Sequence, residues 1–339
     1  MKQGLSLAFV YIGLVIGAGF ASGREIMEYF NIPSGTDHSG IVFATFLLIA
    51  LCYLVLSRAH RGNMATCQEY LSAVAGRFAG GVKVFLFVYL FCGFFTMLSG
   101  SGALLAQSYL LPDVVGILLL AAVCFLVLSF DLRGIIAANT VMVPCMILGI
   151  FYICISATLF GTAAVFSPQG MTHGVLLSAL CYVSYNTISA PSVLVPLQRG
   201  ITPAGIRLAA MAGGLSLGLL ILVIWASQSI FFDALWESQL PMLKLAAMAG
   251  RLQKKVYTAV LLMAISTTAI SQGFGILSHF GIKNTKNRCL SAGILCLSAI
   301  PFAMIDFSVL VDRLYGFFGV TGLVWMFWIG VEYFWRGRS

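Results

Sequence analysis

At 339 residues, 60% of them hydrophobic and only 9% charged, with a mean hydropathy of +1.00, the chain cannot be a soluble globule, in which about a quarter of residues carry charge. Its formal net charge of +8 fits the Lys and Arg excess of cytoplasmic loops in membrane proteins, so no nucleic-acid partner is inferred. The nine cysteines lie singly, most of them in apolar runs, with no C-x-x-C pair and no neighbouring His. They read as packing residues, not as metal ligands or disulfides.

In chain order, about ten mostly apolar runs are long enough to cross a hydrocarbon core. They are Leu5 to Phe30, Gly40 to Ser57, Val82 to Leu111, Val114 to Phe130, Ile135 to Phe160, Thr172 to Leu197, Ala204 to Ile230, Val256 to Phe280, Cys289 to Ile305 and Leu310 to Phe334. The first run is too long for a cleaved signal peptide, and no soluble domain is expected on either side of the membrane part. Basic residues follow the even-numbered runs at Arg58, Arg61, Arg77, Lys83, Arg133, Lys283, Lys286 and Arg288, and close the chain at Arg336 and Arg338. This places both termini in the cytoplasm of a multi-pass cell-membrane protein. Lys244, Arg251, Lys254 and Lys255 disagree, and their long connection is expected to be a capping loop with a short helix opened by Pro241. Between Arg58 and Lys83, NMATCQEYLSAVAGRF is too polar to span and reads as an interfacial helix.

Two runs are interrupted. IGLVIGAGFASGREI in the first carries Gly13, Gly17, Gly19 and Gly23. In the sixth, Ser184, Asn186, Thr187 and Ser189 lead into Pro191 and Pro196, which remove backbone donors. The interruptions lie five runs apart, as do the long runs three and eight. An odd-numbered repeat re-enters the membrane with inverted topology, and paired interruptions in corresponding positions point to a transporter site at the midplane. Repeat one covers about residues 1–162 and repeat two about 168–339 of a single transmembrane domain.

Membrane backbone loses its hydrogen bonds only where it lines a cavity or meets protein. Amides around Gly17 to Phe20 could hold a carboxylate, and carbonyls around Gly13 to Ile16 a cation. Ser266, Thr267, Thr268 and Ser271 put hydroxyls on run eight, and oxygen ligands suit a hard cation. Substrate contacts are expected from Gly17, Ala18, Gly19, Phe20, Tyr182, Tyr185, Asn186 and Ser189, with Tyr89 or Phe94 from run three. Arg24 and Glu25 read as a local charge pair at an exposed helix end. With no charge expected near the middle of runs one, three, six or eight, a zwitterion or small neutral solute is favoured over a strongly charged substrate.

The run GAGFASG followed by a charged pair resembles the bacterial YkvI-like family of membrane proteins along essentially the whole chain. More distantly, the broken first and sixth runs and the five-plus-five plan resemble the LeuT fold of the amino acid–polyamine–organocation superfamily. That resemblance implies an all-α polytopic membrane protein of about ten transmembrane helices in a 5+5 inverted repeat, with helices 1 and 6 broken. It implies a sodium site from the carbonyls of Gly13 and Ile16 and from Ala264, Thr267 and Thr268. It also implies an outer gate between Arg24 and Asp306 or Asp312. Run five has no lysine, where some proton-coupled relatives place one, which favours sodium.

The expected function is secondary transport of a small amino-acid-like solute by alternating access, with sodium as coupling ion and no other cofactor. Proton coupling, exchange, and a ligand-sensing receptor of the same scaffold, as in spore germination, remain open. The partners are the small-molecule substrate and the lipid bilayer, with oligomeric state undetermined. No H-E-x-x-H, G-x-S-x-G or paired intramembrane carboxylate supports an enzyme.

Overall fold

The computed structural model describes residues 2–30, 38–129, 132–160, 174–280 and 285–336, and among these residues every regular element is a helix. In order they are α1 (Lys2–Val15), α2 (Ala18–Ser22), α3 (Arg24–Tyr29), α4 (Ser39–Arg61), α5 (Cys67–Ala75), α6 (Ala79–Tyr109), α7 (Asp113–Ser129), α8 (Leu132–Phe160), α9 (Val175–Ile188), α10 (Ala190–Leu197), α11 (Pro203–Ile230), α12 (Phe232–Leu235), α13 (Pro241–Ala249), α14 (Arg251–His279), α15 (Thr285–Ala303) and α16 (Phe307–Arg336). A 3₁₀ turn, Gly76–Phe78, joins α5 to α6.

Six helical stretches, in α4, α5–α6, α8, α11, α14 and α16, are long and apolar enough to cross a membrane. Four shorter apolar helices, α1, α7, α9 and α15, accompany them. Together they account for the ten expected runs, and α1 and α9 are short because each ends at an interruption. The protein is a polytopic helical membrane protein. Large apolar side chains such as Val42, Phe46, Leu148, Leu159 and Phe327 stand exposed, as lipid-facing positions require.

The two interruptions differ in depth. Between α1 and α2, Ile16 and Gly17 leave the helix, with Gly17 extended at φ −97° and ψ −167°. Between α9 and α10 only Ser189 intervenes, and its φ of −78° and ψ of −16° keep it helical. Run six is thus interrupted as expected, but more shallowly than run one. Pro191 sits in the first turn of α10, where a missing N–H costs little. Run six also starts at Val175, three residues later than expected. The junction between the expected repeats lies outside the described residues.

The short elements follow local rules. Thr66 caps α5 by accepting from the Glu69 amide at 3.2 Å, while the Glu69 carboxylate accepts from Ala65 N at 2.7 Å, close to a capping box. Pro241 opens α13. Gly23, at φ +77°, ends α2 in the left-handed region that glycine occupies without strain and turns the chain into α3. The centre of the bundle is α14, which packs against α1, α2, α6, α7, α8, α10, α13 and α15.

One ion pair ties the first half of the chain to the last helix. Arg58 Nε lies 3.0 and 3.1 Å from the two Glu332 carboxylate oxygens, and a terminal nitrogen of Arg58 lies 2.9 Å from Oε1. Glu332 is buried and Arg58 mostly so. Removing either partner strands the other, a loss of about 1–3 kcal/mol. Glu332→Ala is expected to lower the unfolding midpoint in detergent, and Arg58→Ala with Glu332→Ala to cost less than the sum of the single changes.

Candidate transport site

The break in the first run interrupts the helical hydrogen-bond ladder between Ile16 N and Ala21 N, and two of the pairs it separates find other partners. In an uninterrupted helix Gly17 N would bond Gly13 O, and Phe20 N would bond Ile16 O. Here Ile16 N still bonds Ile12 O at 2.8 Å, but Gly17 N turns to Val15 O at 2.9 Å. The carbonyls of Gly13 and Ile16 both accept from one hydroxyl, Thr268 Oγ1 on α14, at 3.2 and 3.0 Å. The Phe20 amide donates instead to the carboxylate of Glu25. Helical bonding resumes with Ala21 N to Gly17 O at 2.9 Å.

Three members of the expected ion site, Gly13, Ile16 and Thr268, are thus in direct contact. The Thr267 hydroxyl bonds its own helix at Ala264 O, 3.0 Å away. One turn further along α14, the Ser271 hydroxyl is buried with no hydrogen-bond partner.

Below this break lies a cavity of about 30 Å³, lined among others by Gly17, Glu25, Tyr89, Cys92, Tyr185, Asn186, Ser189, Thr268, Gln272 and Tyr315. Such a volume holds little more than one water. Of the expected substrate residues, Gly17, Tyr185, Asn186, Ser189 and Tyr89 reach this cavity. Asn186 Nδ2 donates to Tyr182 O at 3.0 Å, and Tyr89 OH to Tyr185 O at 2.8 Å. Tyr182 is wholly buried beside it, in ring contact with Tyr29, Phe30 and Tyr185. Ala18 and Phe20 are buried in α2, Gly19 faces an outer cavity, and Phe94 packs in the core beside Gly273.

Glu25 corrects the sequence reading. It is 3% exposed, lines the central cavity and accepts a hydrogen bond from Tyr185 OH. It is not half of an exposed charge pair, and the middle of the protein is not free of acidic side chains. Arg24 points the other way, its guanidinium donating to Trp236 O at 3.0 Å. The left-handed turn at Gly23 separates the two. Gln228 Nε2 holds that turn through Gly23 O at 3.0 Å, and Tyr257 OH bonds Ala21 O from α14. Glu25 escaped the sequence reading because its neighbours Gly19 and Tyr185 are brought to it only by this turn. The available signal was Gly19 itself, where a Cβ would collide with the Glu25 carboxylate.

Cavities approach the centre from opposite faces. One of about 760 Å³ is lined by Ser99, Gln107, Asp113, Gln239, Asp306 and Phe307, among others. A smaller one of about 70 Å³ holds Gly19, Arg24, Glu237, Gln239 and Phe307. Phe307 borders both and packs at Gly100, near Ala18. Among the described residues Arg24 forms no ion pair with Asp306, and the Asp312 side chain lies outside those described. On the other face, a cavity of about 310 Å³ lies between the start of α1 and the end of α10, at Gln3, Ser6 and Arg199.

No protein-family model matches the chain. It is 26% identical over 326 residues to the Bacillus subtilis uncharacterized protein YyaD, covering 95% of this chain and 94% of that one. It is 27% identical over 327 residues to the B. subtilis uncharacterized membrane protein YkvI, covering 94% and 93%. Among solved structures it is similar to a Na⁺-coupled sialic acid symporter in a substrate-bound outward-open state, with a TM-score of 0.67 at 13% identity over 96% of this chain and 78% of that one. It is also similar to the Eremococcus coleocola manganese transporter, with a TM-score of 0.59 at 12% identity over 96% and 76%. The fold is that of polytopic, LeuT-like transporters.

The glycines of the break make a contrasting pair. A Cβ at Gly17 would meet Thr268 at ordinary contact distance, 3.5 Å, whereas one at Gly19 would overlap Glu25. Gly17→Ala is expected to leave the unfolding midpoint within about 0.5 kcal/mol of wild type, and Gly19→Ala to cost about 2 kcal/mol or more. Thermal unfolding of the two purified variants checks this.

Proposed function

We propose that the protein is a secondary transporter that moves a small amino-acid-like solute by alternating access, coupled to sodium. The observation that carries this reading is the convergence of the Gly13 and Ile16 carbonyls on Thr268 at the break in the first run. All three donors are neutral oxygens, a set suited to a hard monovalent cation, whereas divalent calcium sites usually add carboxylates. When bound, the ion would neutralise the exposed carbonyl ends of α1 and lock α14 to the broken helix. The Thr268 hydroxyl would then turn its lone pair inward in place of its proton. Ala264 and Thr267 complete the proposed set from the same turn of α14.

The central cavity, small and set between larger cavities on opposite faces, supports alternating access. Gly17, Tyr185, Asn186 and Ser189 are the proposed substrate contacts there, with Ala18, Gly19, Phe20 and Tyr182 shaping its wall. Arg24, Asp306 and Asp312 are proposed to act at the outer gate, where Phe307 separates the outer cavities from the centre. The five-plus-five inverted repeat, the amino acid–polyamine–organocation superfamily and a cell-membrane location with both termini cytoplasmic belong to the same reading. It requires no cofactor beyond the ion. Glu25 in the cavity favours a second form, in which a proton is the coupling ion.

The test is thermal unfolding in sodium and in potassium at matched ionic strength. Sodium is expected to stabilise the folded state by about 2.7 kcal/mol at 100 times its Kd, and Thr268→Ala to abolish that rise. Equal midpoints in both salts at every concentration would remove the sodium site and leave proton coupling, exchange or sensing.

A further inference from the structure

The geometry points to Glu25 and the tyrosines around it as a recognition site for an ammonium group, and to a small organic cation as the solute of the central cavity. This rests on the transporter reading above and replaces its amino-acid-like solute with a cation that lacks a carboxylate.

One of the amides that the break in the first run would offer a substrate carboxylate, that of Phe20, is already taken by a carboxylate of the chain itself. Glu25 accepts from the Phe20 amide and from Tyr185 OH, so a carboxylate brought by the solute would meet another carboxylate. A carboxylate offers about four lone-pair positions, and these two donors leave others open. Glu25 is the one charged side chain lining the cavity, and among the described residues no Lys, Arg or His forms an ion pair with it. A buried acid at membrane depth is costly and persists where it has work to do. The charge that complements this cavity is therefore positive.

The surrounding surface is aromatic. The ring of Tyr185 stacks between Tyr29, centroid 5.9 Å away, and Tyr315, 5.2 Å away. Tyr182 meets Tyr29 at 5.8 Å and Tyr185 at 5.9 Å, and its buried hydroxyl has no hydrogen-bond partner. Ring faces beside an anion attract primary and methylated ammonium groups, the chemistry of aromatic cages. Tyr315 and Glu25 both line the cavity, so an entering cation meets the carboxylate and a ring face together.

The experiment uses the full chain in lipid nanodiscs, with choline, tetramethylammonium and glycine betaine as chloride-matched probes and unfolding midpoint as readout. Choline and tetramethylammonium are expected to raise the midpoint saturably. Betaine, which adds a carboxylate to the same head group, is expected to bind at least tenfold more weakly than choline. Glu25→Gln should weaken choline at least tenfold while keeping the sodium response that depends on Thr268, and Tyr315→Leu should weaken it severalfold. Loss of the sodium response in the Glu25→Gln variant, or a choline response unchanged by it, would overturn the assignment. So would tighter binding of betaine than choline. An absence of any ammonium response in protein that still answers to sodium would sink the cation while sparing the transporter. Absence of both responses would remove the sodium-coupled reading as well. A midpoint that follows pH in wild type but not in Glu25→Gln, with no response to the probes, would make Glu25 a proton carrier and overturn the proposal.

Discussion

The constraint on which the rest of this structure depends is that backbone hydrogen bonds inside a membrane cannot be left to water. Among the bonds the first run gives up in mid-bundle are those from Gly17 to Gly13 and from Phe20 to Ile16, and these four groups find other partners. The two carbonyls share one hydroxyl of Thr268, the Gly17 amide turns to Val15 and the Phe20 amide takes the Glu25 carboxylate. The Thr268 hydroxyl and the Glu25 carboxylate are side-chain groups that can change partners, unlike the helical bonds they replace. A ligand arriving at this point competes with a side chain, not with the helix.

The position of α2 follows from this exchange. Its five residues could not hold a helix alone, and it is fixed from outside by Tyr257 at Ala21 and by Gln228 at Gly23. The glycine at 23 supplies the left-handed turn, and the glycine at 19 supplies the room for Glu25 to fold back. Arg24 and Glu25, adjacent in sequence, are thereby sent to different cavities and different work.

Much of this was legible in the sequence. The ten apolar runs, the interfacial helix at Cys67, the helix opened by Pro241 and the approach of Thr268 to the first break all followed from hydropathy, caps and spacing, the last with the help of a family resemblance. Two features were not. Run six is interrupted more shallowly than run one, because Pro191 lands in the first turn of α10, where helical geometry accommodates it. Glu25 looks like a surface charge because its neighbour is Arg24, and only a contact 160 residues away, with Tyr185, shows otherwise. Local rules govern where helices start and stop; they do not say which way a side chain faces after a left-handed turn.

The central helix α14 has a consequence for how the protein is made. It carries Arg251, Lys254 and Lys255 at one end and Ser266, Thr267, Thr268, Ser271 and Gln272 through its middle, and 89% of its most apolar window is buried by protein. Such a helix is apolar enough to span, yet in the folded protein it meets other helices and not lipid along most of its length. Of the helices it packs against, all but α15 precede it in the chain. It therefore emerges from the ribosome after its slot has been synthesised, and its insertion is better described as docking into earlier helices than as partitioning into the bilayer.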